Sequence, residues 1–320
     1  MLVVSRPEEL GETPSAVAVG VFDGVHLGHQ RVVGRAVEAA ARHDWRSVAV
    51  TFDPLPEAVL FPERGVERIT TRGQKLELLA SLGLAATLVV PFTAEFASLG
   101  AGEFAQEYLA SVGARELFAG FDLRLGRGRE AGWEALAAYG AQFGMRVRPV
   151  EPALHGEEKI SSTRIRQALL EGDVATAATM LGRYHAVCGE VVKGAGVGRR
   201  LGVKTANIEH PEGMLPAGGV YACWTRALGK RWMAAASLGH PAVFRDAAER
   251  PPAPVEVALI GLDADIYGER IEIEFVRRLR EVERFESSEE LASRIRGDLV
   301  AAEGAVGEDR SPFFLRPSGR

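Results

Sequence analysis

From Ser15 the chain alternates short apolar runs with amphipathic stretches. SAVAVGVF, RSVAVTF, AATLVVPF, RELFAG and MRVRPV are dense in Val, Ala and Phe, the pattern of strands covered on both faces. Between them, HQRVVGRAVEAAARH, QKLELLASL, EFAQEYLASV and EALAAYGAQFG repeat their apolar residues at helical spacing. Buried strands alternating with crossover helices predict a parallel α/β sheet over residues 16 to 182. Beyond Tyr184 the texture changes. YHAVCGEVVKG, GGVYACWTRAL, KRWMAAASLG, PVEVALIGL and RIEIEFVRRL read as strands divided by Gly and Pro clusters, which predicts a small antiparallel barrel. SEELASRIRGDLVAAEG, opening at Ser288 as N-cap, predicts a closing helix.

The predicted organisation is therefore a domain over 1–183, a second over 184–305, and a weakly structured tail over 306–320. A length of 320 residues suits two domains. Composition narrows the function. With 47% hydrophobic and 25% charged residues and no apolar run long enough to span a bilayer, a membrane protein is not expected. The opening MLVVSRPEEL lacks the features of a secretory leader, so the expected location is the cytoplasm. Cys188 and Cys223 are too few and too far apart for a disulfide framework or a thiolate metal site, and both are expected to be buried. A net charge of −5 argues against broad contact with nucleic acid and leaves small-molecule partners.

Two segments in the first half carry chemistry. Gly20-Val21-Phe22-Asp23-Gly24-Val25-His26-Leu27-Gly28-His29 lies where the first predicted strand passes into the first helix, the junction that faces the ligand crevice of an open α/β sheet. Two imidazoles with a glycine between them, over a helix N-terminus, suit a triphosphate. The plainer reading is an ordinary helix start with surface histidines. Ile160-Ser161-Ser162-Thr163-Arg164-Ile165-Arg166 precedes another helix. Ser162 and Thr163 suit its cap, and Thr163 and Arg166, three apart, share one face of the first turn, where they can hold phosphates from the side opposite the histidines.

In the second half, Gly194, Gly196 and Gly198 leave backbone N–H groups open to phosphate in the stretch that ends in Arg199-Arg200-Leu201-Gly202, and Thr205 and Asn207 offer the hard oxygens that Mg²⁺ prefers. Glycines between strands also mark simple turns.

GVFDGVHLGH, TFDPLPEAVL, the Ala119–Gly132 segment and ISSTRIRQALLEGDVATAATMLGR, in this order, resemble the bacterial bifunctional riboflavin kinase/FMN adenylyltransferases, also called FAD synthetases. The resemblance implies an α/β protein: a Rossmann-like HxGH nucleotidyltransferase domain, then a riboflavin kinase-like antiparallel β-barrel with a closing helix. It implies that AMP passes from ATP to FMN to give FAD and pyrophosphate, and that riboflavin is phosphorylated to FMN, both with Mg²⁺-ATP. By the same resemblance, His26 and His29 act on the ATP phosphates, and Ser162, Thr163 and Arg166 complete that site. Gly20, Phe22, Asp23, Gly28 and Asp122 line the nucleotide and flavin, and Glu256 is the general base of the kinase. Departures stand out: Leu55 where the family has His, Lys204 in place of the proline before Thr205-Ala206-Asn207, a shortened Ser237–Ala242 segment, and Ala258 and Gly261 where His and Asp usually follow the base. They leave open an adenylyltransferase with a weak kinase module. HxGH by itself does not choose the acceptor, so transfer to another phosphorylated acceptor and a flavin-binding sensor without turnover remain rival readings.

Overall fold

The computed structural model describes residues 1–194, 205–239, 255–283, 285 and 287–309. These fall into two compact units, one of Met1–Ser162 and one that starts at Thr163.

The first unit is a six-stranded sheet built of β1 (Leu2–Val4), β2 (Ser15–Val19), β3 (Arg46–Asp53), β4 (Ala86–Pro91), β5 (Ala114–Gly120) and β6 (Arg146–Val150). The order is β1-β4-β3-β2-β5-β6 and every pairing is parallel. The five predicted strands are present, and Val17, Val19, Val48, Val50, Leu88 and Leu117 form the heart of its core. β1 was not predicted: three residues, two of them exposed, show no period. The crossovers include α1 (Leu27–His43), α2 (Pro56–Leu60), α3 (Arg72–Ser81), α4 (Ala101–Phe104), which runs on as a π turn over Ala105–Ala110, and α5 (Trp133–Ala141). Thr71 starts α3 with a capping box that includes Gln74. A short hairpin of β7 (Leu154–His155) and β8 (Glu158–Lys159) turns at Gly156 and leads towards Ser162. Because β3 and β4 extend the sheet to one side of β2 and β5 and β6 to the other, the crevice opens at the carboxyl end of β2.

In the second unit, α6 (Ser162–Leu170, with its first residue in the other unit) and α7 (Val174–Leu181) precede the barrel strands. α7 packs against the barrel, and the Leu169 carbonyl accepts from Ala217 N at 2.8 Å. These contacts draw both helices into the second unit, ahead of the change of texture near Tyr184. The strands are β9 (His185–Val192), β10 (Ala206–Ile208), β11 (Gly219–Ala227), β12 (Lys230–Leu238), β13 (Val255–Leu259) and β14 (Arg270–Arg280). They close as β10-β13-β12-β11-β14-β9, with β9 paired back to β10 and all pairings antiparallel. β10 was not among the predicted strands, since three residues between turns show no alternation. Cys188 and Cys223 are free and buried, as expected.

The closing helix, α8, spans Ser288–Gly307. Its N-cap is Ser287, one residue earlier than expected, whose hydroxyl accepts from Glu290 N at 3.1 Å. Its C-terminal end, read as the start of a loose tail, is helical because Ala302, Ala305 and Val306 pack on Ala222, Ala235 and Val276 of the barrel wall. Residues 310–320 lie outside the described residues. Arg280 of β14 and Asp298 of α8 form a two-point pair at 2.8 and 2.7 Å that fixes the helix on the wall.

One buried group makes barrel stability depend on pH. His185 is fully enclosed, donates from Nε2 to the Met214 carbonyl at 2.7 Å and stacks on Phe275. Burial lowers its pKa to about 4. An unfolded histidine takes a proton near pH 6.5, so the folded state binds fewer protons between those values and stability falls as pH drops through that window. A loss of roughly 2 kcal/mol between pH 7 and pH 5 is expected. Urea unfolding of the intact chain checks it: H185Q should flatten the dependence, and an equally steep dependence in H185Q would assign it to other groups.

Candidate active sites

The loop after β2 is built against the usual backbone preference. Phe22 and Val25 are non-glycine residues at positive φ, 53° and 40°, and both are buried. A Cβ on Gly20 would stand 2.8 Å from the Phe22 ring, so the turn needs glycine there. Neighbours hold this path in place. The Asp23 carboxylate accepts from Ile69 N at 3.1 Å and Thr70 N at 3.2 Å, Gly24 N donates to the Thr70 hydroxyl at 3.1 Å, and the Ser162 hydroxyl donates to the Asp23 carbonyl at 3.0 Å. Asp23 and Ser162, expected to meet the nucleotide, are thus also braces of the loop. Ile69 and Thr70 gave no sign in the sequence, because the fold brings them in from the segment before α3.

His26 is the N-cap of α1 and is only 5% exposed. Its Nδ1 accepts from His29 N at 3.3 Å, which places the ring proton of the neutral form on Nε2. The His26 and His29 rings stack at 3.6 Å between centroids, and His29 meets the edge of Phe22 at 5.3 Å. Gly28 makes the stack possible: a Cβ there would lie 3.0 Å from His26 Cε1. The HxGH spacing therefore yields two parallel imidazoles at the positive end of a helix, at the mouth of the sheet crevice.

Asp122 follows β5 and pairs with Lys159 of β8 at 2.6 Å. Lys159 was not singled out, although it stands just before Ile160-Ser161-Ser162. Leu55 is buried as the residue that opens α2. Thr163 and Arg166 lie on the first turn of α6 and belong to the second unit.

In that unit, Asn207 of β10 is the register partner of Glu256 of β13, and the row continues to Val192 on β9 and Ser237 on β12. Directly opposed residues share a face of the sheet. Val255 and Val257 are fully buried, so Glu256, between them, stands on the outer face with Asn207. Its side chain is exposed, yet the surrounding protein desolvates the carboxyl and raises its pKa, as suits a base. A Cβ on Gly194 would lie 2.3 Å from the Asn207 amide, so backbone and amide meet there only because residue 194 is glycine. Thr205 immediately precedes β10. Gly196, Gly198, Arg199 and Lys204 lie outside the described residues, as do His240–Ala242.

Comparison with known proteins separates the same two halves. Residues 9–164 match the FAD synthetase family and residues 181–306 the riboflavin kinase family. The bifunctional riboflavin kinase/FMN adenylyltransferase of Listeria monocytogenes is 34% identical over 91% of this chain and 92% of its own. The chain belongs to the bifunctional riboflavin kinase/FMN adenylyltransferase family. Members from Bacillus subtilis, 32% identical over 91% of this chain and 92% of their protein, and from Escherichia coli, 31% over 94% and 97%, match along the same span. A Streptococcus pneumoniae crystal structure described as a macrolide-efflux protein superposes with a TM-score of 0.84 at 31% identity, covering 94% of this chain and 98% of that one. Among the described residues no helix is long and apolar enough to cross a membrane. The resemblance drawn from the ordered motifs is borne out, as is the α/β-plus-barrel architecture.

Proposed function

We propose that this chain completes FAD biosynthesis in two ATP-dependent steps, phosphorylation of riboflavin to FMN and adenylylation of FMN to FAD. The observation that carries this reading is that relatives bearing both activities in their name match nine-tenths of the chain, through both halves.

In the adenylyl transfer, an oxygen of the FMN phosphate bonds to the α-phosphorus of ATP and pyrophosphate leaves. His26 and His29 donate to phosphate oxygens as charge builds there, and the Gly20–Gly28 loop lets the backbone approach. Ser162, Thr163 and Arg166 take the remaining phosphate oxygens, and Asp122, oriented by Lys159, faces the flavin nucleotide. In the kinase step, Glu256 takes the proton of the ribityl 5′-hydroxyl while its oxygen bonds to the γ-phosphorus and ADP leaves. Gly194, Gly196, Gly198 and Arg199 meet the ATP phosphates. Mg²⁺ fits Thr205 and Asn207: both offer neutral oxygens, Asn207 stands in register with Glu256, and Mg²⁺ characteristically takes few protein ligands and completes its shell with phosphate and water. When bound it neutralises charge on the transferred phosphoryl group. On this reading residues 1–183 form the adenylyltransferase domain and 184–305 the kinase domain, and the enzyme works in the cytoplasm, where ATP is supplied.

The test is a product assay on the purified chain with Mg²⁺-ATP, offering riboflavin in one tube and FMN in another. FAD from both is the expected result. FAD from FMN alone removes the kinase step, and FAD from neither removes the reading.

A further inference from the structure

Beneath the Gly20–His26 loop lies a lysine that the substrate contacts above leave unused. Lys75 of α3 is only 4% exposed, and its ammonium reaches three neutral oxygens. It lies 3.0 Å from the Phe52 carbonyl, 3.4 Å from the Thr51 hydroxyl and 3.5 Å from the Val21 carbonyl. The Thr51 hydroxyl itself donates to the Val21 carbonyl at 2.9 Å. Thr51 and Phe52 lie near the end of β3, just before Asp53, and Val21 follows β2, so one side chain ties together the two strand ends that border the crevice. Val21 directly precedes Phe22, the first residue of the loop held at positive φ. Fixing the Val21 carbonyl fixes the entry to the path that ends in His26 and His29.

A buried ammonium is costly, and a fold that needed only packing here would use an apolar chain. Desolvation lowers the Lys75 pKa to about 8; Asp53 at the end of β3 and Asp23 in the loop counter this, while Arg68 and Arg72 add to it. Asp53 is engaged by Arg68 at 2.9 Å and Arg72 at 3.8 Å. Buried charges of this kind gather where a site demands them.

Resting on the adenylyl-transfer reading of this loop, we propose that Lys75 is a positioning residue for that reaction: by holding the Val21 and Phe52 carbonyls, its charged form sets the backbone that aims His26 and His29. Lys75 is buried and its ammonium faces the protein oxygens of Val21, Thr51 and Phe52. It acts on geometry, to which transfer rates are steeply sensitive.

The experiment measures FAD formation from FMN and FMN formation from riboflavin, on the intact chain, for wild type, K75M and K75R across pH. K75M should lower kcat for FAD formation roughly tenfold to a hundredfold, with KM for ATP and FMN moving less than about threefold. K75R should recover part of the loss, and riboflavin phosphorylation should stay at the wild-type rate. In wild type, kcat for FAD formation should fall above about pH 8 as Lys75 deprotonates, and K75M should lack that alkaline limb. K75M with wild-type kcat, a loss confined to KM, or an unchanged alkaline limb would overturn the proposal. Should K75M lose both activities through misfolding, the wild-type profiles decide: an alkaline limb in adenylylation but not in phosphorylation supports the role, and its absence refutes it. A wild type that makes no FAD from FMN defeats the functional reading itself, before any substitution is compared.

Discussion

FAD formation from FMN is expected to fall by about 10² or more when His29 is replaced by alanine, because removing one donor that stabilises developing charge typically costs roughly 2.7–4 kcal/mol of barrier. The geometry adds a second contribution. His29 stacks on His26 at 3.6 Å and meets the edge of Phe22, so the truncation also removes the ring packed against His26. The helix start should survive, because the cap bond uses the backbone N–H of residue 29, which alanine keeps. Steady-state assays of both activities on H29A check this: the loss should fall on kcat for FAD formation, with riboflavin phosphorylation at the wild-type rate. Unchanged FAD formation would remove His29 from the site.

Replacing Glu256 by glutamine should abolish riboflavin phosphorylation and leave FMN adenylylation intact. Glutamine has almost the shape of glutamate and keeps the strand pairing with Asn207 and Ser237, but it cannot take a proton. A general base contributes typically 10²–10⁴-fold, so residual turnover should lie near the limit of a chromatographic assay. Because desolvation raises the carboxyl pKa, the acid limb of riboflavin phosphorylation in wild type should lie above the usual carboxylate range. Loss of both activities in E256Q would show that the two sites are not separable, and full phosphorylation would assign the base elsewhere.

How far the sequence reveals this protein depends on how local each feature is. The strands of the parallel sheet were legible because burial on both faces writes a continuous apolar run, as in Arg46–Asp53. β1, β7, β8 and β10 were not, since two or three residues carry no period. The helix start at His26 to His29 could be read because both histidines, the glycine and the helix cap sit within four consecutive residues. Lys75, Thr70 and Lys159 could not, for their partners lie 23 to 54, 46 to 47 and 37 positions away, and only the crossover connections bring them together. Asp23 was singled out for the nucleotide, but the sequence held no hint that its carboxylate would turn to the amides of residues 69 and 70.

On the proposed reading, in which Asn207 and Glu256 serve the kinase step, their opposition across β10 and β13 makes the barrel a ruler for that chemistry. Side chains alternate between the two faces of a strand, so a one-residue insertion within Val255–Leu259 would turn the carboxylate into the apolar lumen and bring a valine out in its place. Length added or removed between β12 and β13 leaves that alignment untouched. Length in the joints between strands is therefore free to change without moving the carboxylate, whereas spacing within each strand is not.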